Sequence, residues 1–370
     1  MKILQTCGSE SWGGLEMTAL KTASMLENRG HFVHMLCIEN SSLEKKASGK
    51  NLYTIPIPAK STSSQKSIRT LKKYMADEKY DVVHSHLSHD LWVVVPALRL
   101  SGSRAKLFLS KHMGSGVSKK DIFHRFLYKR VDHIFAVSNY VKNSVLKTCP
   151  VKEDIISILY PGLNFEKYNP ADFNKNEIRK EFNIDPKAIV IGMSGRFSPG
   201  KGQEEFLKAA KILKDKINDN ILFVIAGAAS FGEDEYEKKI RELTAELELS
   251  KYVIFTGYRN DMPRILSMLD IFVFPSHEES FGITLTEAMA LELPSVASGK
   301  AGVLDLISDG ETGLLVPPKN PQELAEAILK LAENPRLRKQ LGKAARKKAK
   351  EIFNAEYELG ILEEYYAGKR

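Results

Sequence analysis

Cysteine is scarce in this 370-residue chain: Cys7, Cys37 and Cys149 alone, with no Cys-x-x-Cys pair and no metal-ligand spacing. An odd, unpatterned set suggests neither a disulfide framework nor a zinc site and fits a reducing cytoplasm. No apolar run reaches the roughly 20 residues of a spanning helix. The opening Met-Lys-Ile-Leu-Gln-Thr-Cys7 is too short in apolar residues for a secretion signal, so it reads as a buried first strand. Asp-x-Asp, the usual carboxylate pair for a metal-bound nucleotide sugar, does not occur.

Apolar content is 43% and charged content 27%, as in a soluble globular protein, and the length exceeds what one core supports, so two domains are expected. The net charge of +8 is uneven, because residues 1–165 carry 24 Lys and Arg against 13 Asp and Glu. That basic half either attracts an anionic partner, such as a membrane surface, a phosphorylated acceptor or nucleic acid, or is a solvated face kept for solubility.

Short apolar runs alternate with helical patterns, as in parallel βαβ units. Candidate strands are 2–5, 33–38, 52–55, 81–84, 106–109 and 133–137, with a first helix over 16–27 ended by Gly30. A second series has strands at 188–194, 221–226, 253–255, 271–274 and 295–297. Residues 160–170, with two prolines, read as the linker between two α/β domains that present loops to a cleft. From Pro321 onward the chain is helical, and 357–366 is rich enough in large apolar groups to dock, with the first domain as one destination. The sole low-complexity tract is Ser61-Thr-Ser-Ser64.

Four constellations carry chemistry. Gly195-Arg-Phe-Ser-Pro-Gly-Lys201 follows a strand, and its glycines and two cations suit a diphosphate as well as a plain turn. Gly202 stands where a P-loop needs a Mg²⁺-binding hydroxyl, which argues against a P-loop kinase or ATPase. Gly13 and Gly14 open the first helix, leaving its N-terminus to a ligand phosphate, an acceptor or nothing but a turn; the loop lacks the spaced glycines of a dinucleotide binder. His112 falls at a strand's carboxyl end, where it can bond a substrate hydroxyl or a developing charge. His84, His86 and His89 also follow a strand but lack a completing ligand for a metal. Glu279 and Glu287 bracket a Gly-bearing turn into a helix. Thr284 with Glu287 has capping-box spacing, while the alternative puts Glu287 on a ligand held by the amides of Phe281, Gly282 and Ile283.

Glu279-Ser-Phe-Gly-Ile-Thr-Leu-Thr-Glu287, with Phe274-Pro-Ser before it and Gly310-Glu-Thr-Gly-Leu-Leu-Val-Pro317 after it, resembles the signature of the family 4 retaining glycosyltransferases. Gly195-Arg196, Lys201-Gly202, Gly13-Gly14, Gly30-His31 and Val137-Ser138 match too, across almost the whole chain. The resemblance implies the GT-B fold: two Rossmann-like domains with parallel sheets facing a central cleft, the last helix crossing back. The corresponding division is 1–165 for an acceptor domain, 166–352 for a nucleotide-sugar domain and 353–370 for the returning helix. By the same similarity Arg196 and Lys201 grip the diphosphate, and Glu287 bonds the ribose. Glu279 and the three amides hold the donor sugar, His112 lies near the transferred sugar, and Gly14 touches the diphosphate. Gly227 and Tyr258 lie where the family lines its base pocket. Gly13 and Glu16 are expected at the acceptor. Glu279, His112, Arg196 and Lys201 are the catalytic set, with no metal, no cofactor beyond the co-substrate nucleoside-diphosphate sugar, and the anomeric configuration kept.

The linker Tyr160-Pro-Gly-Leu-Asn164 is similar to versions in lipopolysaccharide core sugar transferases of this family. The expectation is therefore a hexosyltransferase, with a UDP-type donor and a carbohydrate or lipid-linked envelope acceptor. It would be cytoplasmic, free or on the inner face of the plasma membrane. Residues 119–130 form either a basic amphipathic helix at an anionic membrane or a helix packed through Ile122, Phe126 and Leu127. The alternatives are a nucleotide-sugar epimerase on the same fold and a nucleic-acid binder, for which no motif is found.

Overall fold

The computed structural model describes residues 1–58, 65–216, 220–229 and 234–370. The tract Ser61-Thr-Ser-Ser64 lies outside them. The chain divides into two compact units, one of Met1–Pro161 with Glu356–Arg370, the other of Gly162–Ala355. The anticipated boundaries at 165/166 and 352/353 thus fall at 161/162 and 355/356. The shift has a local cause, since Leu163 N–H donates to Phe353 O at 2.7 Å and Ala355 N–H to Leu163 O at 3.0 Å, which ties both crossing segments to the second unit. Gly162 is required there, because a Cβ would sit 2.4 Å from Ala355 Cα.

The first unit runs β1 (Lys2–Cys7), α1 (Gly14–Asn28), β2 (Phe32–Ile38), α2 (Ser42–Ser48), β3 (Tyr53–Ile57), α3 (Gln65–Glu78), β4 (Val82–Ser85), α4 (Leu91–Ser101), β5 (Lys106–Lys111), α5 (Ile122–Tyr128), β6 (His133–Ala136), α6 (Asn139–Thr148) and β7 (Ile156–Ile158). Its sheet is parallel, in the order β3-β2-β1-β4-β5-β6-β7. The second unit runs α7 (Lys175–Glu181), β8 (Ile189–Ser194), α8 (Gln203–Lys216), β9 (Ile221–Ala226), α9 (Asp234–Glu246), β10 (Val253–Gly257), α10 (Met262–Ser267), β11 (Ile271–Phe274), α11 (Ile283–Ala290), β12 (Ser295–Ser298), α12 (Val303–Leu306), β13 (Leu314–Val316), α13 (Pro321–Ala332) and α14 (Pro335–Ile352). Its parallel sheet has the order β10-β9-β8-β11-β12-β13. The closing helix α15 (Ala355–Tyr366) sends Leu359, Leu362 and Tyr366 into the core of the first unit, among Ile3, Val82, Phe108 and Phe135.

Strands covered on both faces by helices need apolar side chains on both, which is why β9 reads Ile-Leu-Phe-Val-Ile-Ala without alternation. Residue chemistry starts and stops the helices. Ser138 Oγ accepts from Val141 N–H at 3.2 Å to open α6, and Asn320 and Asn334 cap α13 and α14 just ahead of a proline. In each sheet the strand order reverses beside the first strand of the unit, between β1 and β4 and between β8 and β11. At such a switch point neighbouring loops part and leave room for a ligand.

Candidate functional site

In the second unit, the loops after β8 and β11 meet at the switch point. Gly202 has φ +84° and lies so close to Pro275 that a Cβ would come within 2.3 Å of its carbonyl oxygen. His277 N–H donates to Gly200 O at 2.8 Å. Lys201 Nζ donates to Glu279 Oε1, so the cation from one loop and the carboxylate from the other share one place. Arg196 is exposed at the start of the same turn, and its carbonyl accepts from Gln203 Nε2 at 2.9 Å. Ser194 Oγ and Gln203 Oε1 are buried beside it with no hydrogen-bond partner among the described residues.

The neighbouring loops pack as closely. Gly195 N–H donates to Ala226 O, and Gly227 N–H to Gly257 O, both at 3.0 Å. Gly227 has φ +141°, and a Cβ there would meet Gly195 O at 1.9 Å. Tyr258 follows Gly257 and is exposed. Gly227, Tyr258 and the Arg196 turn therefore belong to one cluster of loops at the carboxyl edge of the sheet.

Helix α11 does not open with the capping box that the spacing of Thr284 and Glu287 allowed as one reading. Gly282, with φ +115°, is the N-cap, and no side chain caps the helix. A side chain at this positive φ would be strained, and a Cβ would press on Phe274 and Leu306. The helix thus starts at Ile283 rather than Thr284, and Glu287 is turned to another partner. Its buried carboxylate accepts from Tyr168 Oη at 2.6 Å. Burial raises the Glu287 pKa to about 7, against the lowering effect of that hydrogen bond. Tyr168 comes from the stretch expected to be a plain linker. Arg346 of α14 donates to Tyr168 O at 2.6 Å and also to Ala290 O, so the tyrosine is held from both ends. Sequence reasoning missed it, as its hydroxyl and Glu287 are 119 positions apart.

In the first unit, α1 starts at Gly14 after the N-cap Gly13. A capping box does form at this helix, through Glu16, whose Oε2 accepts from Gly13 N–H at 2.8 Å. His112 follows β5 and is half-buried; its Nε2 lies 3.1 Å from His86 Nδ1. Burial pulls its pKa down to about 3, reinforced by the charges of Lys111 and Lys21, so the ring is neutral at ordinary pH. His84 and His86 are buried and bonded to protein groups, whereas His89 is exposed. Among the described residues no group of three or more His, Cys, Asp or Glu is placed to share a metal.

Two family models match consecutive stretches: Glycosyltransferase Family 4 over residues 12–167 and Glycosyl transferases group 1 over residues 174–348. The chain belongs to the family 4 glycosyltransferases. One relative is the D-inositol 3-phosphate glycosyltransferase of Streptomyces bingchenggensis, 25% identical over 72% of this chain but only 62% of the relative's own length. Another is the UDP-Gal:alpha-D-GlcNAc-diphosphoundecaprenol alpha-1,3-galactosyltransferase of Escherichia coli, 26% identical over 87% of this chain and 85% of that one. The solved structure of Anabaena Alr3699/HepE in complex with UDP-glucose shares the fold, with a TM-score of 0.86 and 21% identity over the whole of both chains. The glycosyltransferase thus has the GT-B fold, with a parallel Rossmann-like sheet in each unit.

Proposed function

We propose that this glycosyltransferase moves a hexose from a uridine diphosphate sugar to a lipid-linked carbohydrate acceptor of the cell envelope, with retention of anomeric configuration and without a metal. The observation that carries the reading is the meeting of the β8 and β11 loops, which puts Arg196, Lys201 and Glu279 at one switch point, with Glu287 on the helix that follows. Relatives that act on a UDP-sugar and on a lipid diphosphate support the donor and acceptor classes.

In this reading Arg196 and Lys201 neutralise the diphosphate, and two fixed cations do there what a divalent ion does elsewhere. The amides of Phe281, Gly282 and Ile283 and the start of α11 hold anionic oxygens. Glu279 binds the sugar hydroxyls, Glu287 the ribose diol, and Gly227 and Tyr258 line the base. Gly14 of the first unit contacts the diphosphate, and His112 a sugar hydroxyl. Gly13 and Glu16 are the proposed acceptor contacts. The anomeric C–O bond to the diphosphate breaks as the acceptor oxygen bonds the same face, and the acceptor's proton passes to the departing diphosphate oxygen. No cofactor takes part beyond the sugar nucleotide.

The acceptor class brings a membrane with it. Helix α5 buries Leu127 and Tyr128 but leaves Ile122, Phe123 and Phe126 at 75, 66 and 46% exposure, with Lys120, Arg125 and Lys129 also exposed. Ile122 and Phe126 are therefore not packed as the core-helix alternative required. Apolar groups within a cationic frame suit the surface of an anionic bilayer, and the proposed location is its cytoplasmic face. No helix among the described residues is long and apolar enough to cross it.

Incubation with labelled UDP-sugars and polyprenyl-diphosphate sugars tests the reading. The expected outcome is acceptor-dependent UDP release, insensitive to EDTA, giving a product whose anomeric coupling constant matches the donor's. Arg196→Ala, Lys201→Ala and Glu279→Ala should each lower turnover by about 100-fold or more while the protein stays folded. Unchanged turnover in all three would sink the assignment, and isomerised donor formed without acceptor would turn it toward an epimerase.

A further inference from the structure

The carboxyl ends of β1, β4 and β5 hold a chain of hydrogen-bonded side chains that sugar transfer as described leaves without a task. Gln5, His84 and His86 are almost fully buried, and Gln5 lies in register with His84 across β1 and β4. His86 Nε2 is 2.8 Å from Gln5 Oε1, and His86 Nδ1 is 3.1 Å from His112 Nε2, with the two rings stacked. On the other side Gln5 Nε2 donates to Tyr366 Oη at 3.4 Å. That hydroxyl is 2.5 Å from His84 Nδ1, and His84 Nε2 is 2.8 Å from Ser110 Oγ.

The protons can be counted along this chain. A carboxamide oxygen only accepts, so the hydrogen between Gln5 and His86 sits on His86 Nε2. Burial keeps His86 and His112 neutral, and a neutral imidazole carries one N–H. His86 Nδ1 is therefore an acceptor, and His112 supplies the next hydrogen from its own Nε2. The Nδ1 of His112 is left as a lone pair, for which no partner is found among the described residues.

We propose that Gln5 and His86 are positioning residues that fix His112 as the Nε2–H tautomer, so that its Nδ1 accepts a hydrogen bond from a hydroxyl of the bound substrate. The proposal rests on the reading that His112 meets the transferred sugar. A hydroxyl that donates to nitrogen gains electron density on its oxygen, which favours the positive charge developing at the anomeric carbon. The opposite tautomer would donate to that oxygen and withdraw density. Direction matters more here than basicity, since a ring so reluctant to protonate is a poor general base.

Long-range ¹H–¹⁵N correlation spectra of the full chain labelled at its nine histidines read the tautomers directly, with His112→Gln assigning the signal. The unaltered protein should show His112 protonated at Nε2 and bare at Nδ1. Gln5→Leu should shift His112 toward the Nδ1–H form and lower kcat about tenfold or more, with donor KM changed by no more than about twofold. Gln5→Glu, whose carboxylate only accepts, should keep the tautomer and most of kcat. A Nδ1–H tautomer in the unaltered protein overturns the proposal, as does a folded Gln5→Leu with an unchanged His112 pattern. If Gln5→Leu does not fold, the unaltered spectrum and Gln5→Glu decide. Absence of transfer from every sugar nucleotide would overturn the functional reading alone, since the spectra need no substrate.

Discussion

The carboxyl of Glu287 is buried, and its pKa is raised to about 7 from an ordinary 4.5. The folded protein therefore keeps this proton more tightly than the unfolded chain, and the sign follows. The stabilisation is fully present below about pH 4.5 and is lost as pH rises through about 7. The difference corresponds to roughly 3 kcal/mol. Asp90, raised by burial to about 6, acts in the same direction, so the contribution of Glu287 is isolated by comparison with Glu287→Gln. The fall in unfolding temperature between pH 5 and 8 should be shallower in that variant, which should also bind UDP-sugar more weakly. Parallel melting curves in the two proteins would refute the assignment. Among the glycines, Gly200 and Gly202 both have positive φ, but only Gly202 also meets a carbonyl. Gly200→Ala should cost about 1 kcal/mol, and Gly202→Ala several; equal losses in urea unfolding would contradict this. The meeting loops were legible as glycine-rich turns at strand ends, because glycine and its charged neighbours stand out by residue type alone. Tyr168 and Gln5 were not, since a tyrosine beside prolines and a glutamine in a strand acquire meaning only from partners the fold brings in.

Among the elements, α11 shows how a spacing rule can be right in form and wrong in place. Thr284 and Glu287 have the interval of a capping box, yet the reciprocal carboxylate bond occurs at α1, where Gly13 and Glu16 have the same interval. The local pattern cannot reveal that Gly282 takes a positive φ and starts the helix itself. Strands β7 and β13 went unread for a related reason, as three residues are too few to show a period and only pairing with β6 and β12 defines them. The longer apolar runs needed no such help. Helix α5 offers the test at this scale. Ile122→Ser with Phe123→Ser removes apolar area already in water, so the melting temperature should hold while binding to phosphatidylglycerol-rich vesicles falls about tenfold or more. Undiminished co-sedimentation would remove α5 from the membrane contact.

For the whole molecule, the two units differ in how the chain supplies them. The second is one continuous stretch, Gly162–Ala355, whereas the first needs Glu356–Arg370 to complete its core. Calorimetry on a chain ending at Ala355 should show the transition of the first unit lowered or lost, because the places of Leu359, Leu362 and Tyr366 are left open. The transition of the second unit should persist, and equal loss of both would contradict the division. The two-unit α/β plan was legible from alternating runs, but the crossing points were displaced because a backbone pairing between Leu163 and Asn354 leaves no mark on residue type.

The placement of α15 also bears on how the protein is made. On the ribosome the second unit has all its residues before the first does, although the first begins emerging earlier. The sheet of the first unit must wait with an apolar face uncovered until α15 emerges, and for that interval it exposes the kind of surface that promotes aggregation.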